Sequence, residues 1–265
     1  MLVSVPKVMV AAGDLWHMRE AGAPRQTPLM MKMLLAAHVA GGSAALLSMI
    51  VPLVSRKGGR MHVRAGWVFV AGMVIVSVTA LVLSAVRFFT QPTPDGRLGG
   101  VLLFYIAILT GAGVSAGIRV LRTKKRRATH THPWDLSIAT LLTAGGIVVA
   151  AYGLAIGQAL LIAFAIIGLI NGGGQLAYWL RPPTAPMHWW YEHMNQMIGA
   201  CIAATTAFIV NNAGHLGLPR TSLVIWLGPA ALGVPASIIW TSYYRRRFSG
   251  TVRQSHRNEI VTRTA

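Results

Sequence analysis

Apolar residues in this chain gather into seven long runs separated by short polar or basic intervals. The runs cover Met33 to Val54, Gly66 to Phe89, Gly99 to Leu121, Leu136 to Ile156, Gln158 to Leu180, Trp189 to Asn212 and Ser222 to Tyr244. A helix rises 1.5 Å per residue, so about 20 residues cross roughly 30 Å of hydrocarbon. Each run meets that length. The pattern predicts an all-α fold, an integral membrane helical bundle of about seven transmembrane helices. The weakest boundary is Gly157–Gln158, where the fourth and fifth runs meet almost without a loop; a re-entrant element there would leave six spans. Residues 29–244 form the transmembrane domain and residues 245–265 a basic cytoplasmic tail. Residues 1–28 read as a polar N-terminal extension, or as sequence ahead of a true start at Met30 or Met31. They do not read as a signal peptide, since the apolar patch Val8 to Ala12 is short and Asp14, Arg19 and Glu20 follow it.

Composition supports the membrane reading. The chain is 54% hydrophobic and 11% charged, against about 25% charged for an ordinary soluble domain. Its formal net charge of +18 would suggest nucleic acid in a soluble protein. Here the cations sit in clusters between apolar runs, as topogenic signals do, and no nucleic-acid partner is expected. Arg56, Lys57, Arg60 and Arg64 follow the first run, Arg122 to Arg127 the third, Arg181 the fifth, and six arginines fill the tail. The opposite side has only Arg87, Arg97, Arg220 and the few cations of the N-terminus. The positive side should be cytoplasmic, which puts the N-terminus outside and the C-terminus inside. The single cysteine, Cys201, excludes an intrachain disulfide and any multi-cysteine metal site.

Aromatic residues mark the inner boundary. Tyr178 and Trp179 close the fifth run, Trp189, Trp190 and Tyr191 open the sixth, and Trp240, Tyr243 and Tyr244 close the seventh. Gly113/Gly117, Gly153/Gly157 and Gly168/Gly172 are small-xxx-small pairs expected to bring backbones together. Asn171, three successive glycines and Gln175 form a different signal, a weakened helix that either kinks or opens a solute cavity. Pro229 and Pro235 read as kinks in the last span.

Ionisable groups in a bilayer are costly, so each is a functional candidate. The histidines form two levels: His62, His188 and His193 near the inner surface, and His38 and His215 near the outer one. Imidazole is a usual axial ligand of haem iron, so His38, His62 and His193 are the candidate ligands of a haem b. His62 with His193 would make an inner site, and His38 with His215 a looser outer one. The plain alternatives are an interfacial residue for His62 and a helix-to-helix hydrogen bond for His38. A divalent metal held by His62, His188, His193 and Glu192 is the competing site, since imidazole and carboxylate suit zinc. The chain has only six acids, none near a bilayer midplane, which argues against a proton-coupled carrier.

His38-x-x-Gly41, then Lys57-Gly58-x-x-x-His62-x-x-x-Gly66, then His193-x-x-x-Met197-x-Gly199-Ala200 and Ala207-Phe208 resemble a bacterial family of predicted multi-pass membrane proteins of unknown function. The match covers the first two spans best and the sixth next. The resemblance implies a helical inner-membrane bundle with recurring histidines and a cytochrome b-like haem role, and it carries over His38, His62 and His193.

The expected function is therefore a plasma-membrane protein that binds haem or a metal for electron transfer. Its partners would be the lipid bilayer, and a redox partner or anionic lipid at the basic side. The alternatives are a small-solute carrier or channel built on Asn171 to Gln175, and a non-catalytic scaffold.

Overall fold

The computed structural model describes residues 28–185, 187–215, 217–219 and 222–264, with side chains as far as residue 246. Seven helices account for almost all of these: α1 Leu29–Val54, α2 Arg60–Thr90, α3 Pro94–Arg119, α4 Pro133–Ala155, α5 Ala159–Leu180, α6 His188–Asn212 and α7 Leu223–Thr264. A short 3-10 turn, Val120–Arg122, extends α3. All seven helices are long and apolar enough to cross a membrane, and no strand occurs among the described residues.

Local chemistry sets the helix ends. Proline opens both α3 and α4, where a missing N–H costs nothing. Thr93 accepts the Gly96 N–H at 3.1 Å through its side chain, and His132 accepts the Trp134 N–H at 3.2 Å. The doubtful boundary after α4 is a true turn. Gly157 takes φ +67, the Gln158 N–H reaches back to Gly153 O at 2.8 Å and the Gly157 N–H to Leu154 O at 3.3 Å. These are the two bonds of a Schellman stop, with glycine in the left-handed position. Seven spans result, not six.

Helix α3 is the hub. It packs against α2, α4, α5 and α6, while α1 lies against α2 and α7 against α6. Two apolar cores flank it. One joins Leu98, Leu102 and Tyr105 of α3 to Leu142, Leu161 and Phe164, and reaches Trp226 of α7. The other joins Val114 to Ala45, Phe69, Met73 and Ala200 of α1, α2 and α6. Tyr105 lies across Gly145, Gly146 and Gly168, whose missing side chains make its room, and its hydroxyl donates to Leu142 O at 3.2 Å. Of the expected glycine pairs, Gly113/Gly117 faces α6 and Gly168/Gly172 faces Tyr105 and Thr143. In the third pair Gly153 packs on Leu161 and Ile162, but Gly157 makes the turn instead of a contact.

Two expectations change, and one helix is longer than its apolar run. Helix α2 begins at Arg60, so Arg60, His62 and Arg64 ride on its first turns and the basic loop shrinks to residues 55–59. The backbone of α7 runs on beyond the seventh apolar stretch to Thr264. Helix α5 is a continuous α-helix through Asn171 to Gln175. Asn171 Nδ2 donates to Ile167 O at 3.2 Å within its own helix, and packing of Gly172 on Thr143 compensates the weak propensity of the glycines.

Candidate functional site

The basic intervals meet at one end of the bundle, and the histidine pair sits there. The last four carbonyls of any helix lack intrahelical partners and carry its partial negative charge. At the end of α1, Pro52 O receives His62 Nδ1 at 3.2 Å and Lys57 Nζ at 2.6 Å, and Leu53 O receives the same Lys57 Nζ at 2.7 Å. At the end of α3, Gly117 O receives His193 Nδ1 at 2.7 Å. That bond needs α6 close to α3, and Gly117 permits it: a Cβ there would meet Gln196 Cβ at 3.1 Å and the Met197 methyl.

The two rings lie 6.5 Å apart between centroids, with their planes at 65°. A carbonyl oxygen can only accept, so Nδ1 carries the hydrogen in both rings and Nε2 carries the lone pair of the neutral form. This is the tautomer a metal-ligating histidine adopts when its other nitrogen donates to a carbonyl. A metal–imidazole bond is about 2.0–2.1 Å, so two rings ligating one ion from opposite sides stand about 6 Å apart, centre to centre. The observed spacing is that distance, and it is equally the spacing of two rings packed edge to face.

Cations and aromatic rings pair off at the same end of the bundle. Lys57 Nζ lies 5.1 Å from the Trp240 ring centre, Lys124 Nζ 4.6 Å from that of Trp189, and the Arg245 guanidinium 5.3 Å from that of Tyr191. Burial pushes the Lys57 ammonium below the ordinary lysine range. Trp179 departs from its expected place in a headgroup belt. It is 1% exposed, covered by His130 at 4.8 Å and flanked by the Arg126 guanidinium.

The four residues of the expected metal site divide. His188 Nδ1 pairs with the Tyr178 hydroxyl at 2.8 Å, and Glu192 accepts from Gln196 Nε2 at 2.8 Å. Only His62 and His193 come together, and among the described residues no three His, Cys, Asp or Glu side chains gather to hold an ion. His38 bonds through Nδ1 to Thr79 Oγ1 at 2.9 Å, and that hydroxyl donates to Ile75 O at 2.6 Å. Thr79 is 17 residues beyond His62 on α2, about 25 Å along the axis, so His38 lies at another depth. His215 is exposed past the end of α6.

An ion-pair cluster beside this site has no counterpart in the sequence expectations. Asp135, 4% exposed, takes Arg119 on both carboxylate oxygens and His130 Nε2 at 2.8 Å. Arg126 donates to Tyr178 O, Trp179 O and Arg181 O, so it caps α5 from the α3–α4 loop. The one local signal is an acid in the first turn of α4 after His130 and His132. Its partner Arg119 lies on another helix, where spacing gives no clue. No family model, no curated protein and no solved structure matches this chain.

Proposed function

We propose that this chain is a haem-binding, multi-pass protein of a bacterial inner membrane that carries electrons, with His62 and His193 as the axial ligands. The observation that carries the reading is the paired rings, 6.5 Å apart and each fixed through Nδ1 by the end of a different helix. Two imidazoles complete the axial set of a haem iron, whereas a bare zinc ion wants three or four protein ligands, and among the described residues no third His, Cys, Asp or Glu gathers with this pair. A bound haem would supply one-electron chemistry. The chain's own part is to hold both tautomers, to orient the rings and to place the site at the membrane boundary. His38 belongs to the same reading as a separate position at the other depth, tied to α2 by Thr79.

The proposal includes the orientation, with the N-terminus outside and the basic end of the bundle cytoplasmic. It rests on the lysines and arginines of residues 55–64 and 122–127 flanking the spans, and includes membership of the histidine-bearing family that the sequence resembles. The deciding experiment is a dithionite-reduced minus oxidised spectrum of detergent-purified protein, with metal analysis of the same sample. A sharp haem α band in the wild type, lost in His62→Ala and in His193→Ala, is the expected result. A colourless wild type from cells with haem supply secured would overturn it.

A further inference from the structure

The loop between α3 and α4 splits its arginines between two directions. Arg126 turns inward: Nη2 donates to Tyr178 O at 2.7 Å, and Nη1 to Trp179 O at 3.3 Å, Arg181 O at 2.9 Å and Ala128 O at 3.1 Å. The His130 N–H adds a bond to Trp179 O at 2.8 Å, and Asp135 holds its ring. The loop is thus fixed on the end of α5, and the helix-end carbonyls that a neighbouring arginine would use are already taken. Because one nitrogen bonds both Ala128 O and Arg181 O, Arg127 and Arg181 stand on adjoining backbone although far apart in sequence. Both residues are exposed. Every ion pair among the described residues is made to Asp135, so neither arginine has a carboxylate partner there.

Apolar surface leads away from these two cations. Arg181 is the first residue beyond the α5 span, and Leu180 beside it is exposed, as are Ile170 and Ile166. Positions 166, 170, 173, 177 and 180 recur at helical spacing along one face, and Gly173 within it has open space where a side chain would be. The face is a notched apolar lane with two unpaired positive charges at its end.

We infer that Arg127 and Arg181 seat the phosphate of an anionic phospholipid, with an acyl chain in the α5 lane. The planar fork of arginine suits phosphate oxygens, and a loop already held in place needs little ordering on binding. A soluble anion would make no use of the lane. Two cations at headgroup depth should favour an anionic over a zwitterionic head about tenfold. The inference stands apart from the haem reading.

The test counts lipid retained by the full-length protein in neutral detergent, by native mass spectrometry, with dioleoyl phosphatidylglycerol and dioleoyl phosphatidylcholine added in turn. The wild type should hold its first phosphatidylglycerol about tenfold more tightly. Arg127→Gln with Arg181→Gln should abolish that preference, and Arg127→Lys with Arg181→Lys should keep most of it, which separates charge from any effect on folding. Arg60→Gln with Arg64→Gln removes two exposed cations of α2 and should leave the preference unchanged. Soluble glycerol phosphate at the same concentration should not displace the lipid. Equal affinity of the wild type for the two lipids would overturn the inference. So would a preference that survives Arg127→Gln with Arg181→Gln, one that falls as far in the α2 variant, or displacement by glycerol phosphate.

Discussion

At the level of single residues, absent side chains matter as much as present ones. Gly117 lets α6 approach and bare the carbonyl that His193 uses. Gly117→Leu should therefore force α3 and α6 apart, costing about 1–3 kcal/mol by overpacking and removing the His193 anchor. Thermal unfolding in detergent and the haem spectrum would record the two losses together. Gly173 has open space where a Cβ would sit, and Gly173→Ala should stabilise α5 by about 0.5–1 kcal/mol through helix propensity. Asp135 makes a different case. Asp135→Ala leaves Arg119 and His130 facing an empty site, and breaking a buried pair costs about 3–5 kcal/mol. The side chain of Arg119 is 20% exposed, so the loss should fall at the low end of that range. Removing both charges, as Arg119→Met with Asp135→Leu, should cost less than Asp135→Ala alone. Matched unfolding curves of the single and double variants would check this.

Among the helices, what was legible depended on whether the signal was local. Apolar run length located every span, and most of the predicted ends fall within a few residues of the helix ends. The exceptions have physical causes. Arg60 and Arg64 are charged, so hydropathy excluded them from the second run, yet they extend α2 because a helix end in water tolerates charge. Three glycines suggested a kink or a solute cavity in α5; the α-helix continues through them, since helix propensity is a weak term that packing of Gly172 on Thr143 outweighs. His62 and His193 were both legible as candidates by type and depth. The carbonyls that fix their tautomers belong to α1 and α3, a relation between helices that spacing along one chain does not contain. His188 looked equivalent by depth alone, and its bond to Tyr178 takes it elsewhere. The α4–α5 stop was visible as Gly-Gln but ambiguous, since only the φ of Gly157 distinguishes a turn from a re-entrant segment. Gly157→Ala should cost about 1–2 kcal/mol for a left-handed alanine, read from the same unfolding curves.

Across the whole molecule, the cations are distributed unevenly between the two ends of the bundle. The basic intervals converge at one end, where aromatic rings and helix-end carbonyls pin lysine and arginine side chains in place. In a Cys201→Ser background, Arg56→Cys should react with a membrane-impermeant maleimide only after permeabilisation. Pro92→Cys, between α2 and α3, should react in intact cells. The reverse labelling pattern would invert the proposed orientation.

The three-residue link between α4 and α5 bears on how the protein is made. Residues 156–158 carry no charge, so this hairpin tip holds no address by which a translocon could orient either arm. On the proposed topology, the cations that orient this pair are those of residues 122–127 and Arg181 at its open end. That topology then makes the hairpin one unit of insertion, which a long polar insert at residue 157 should divide into two.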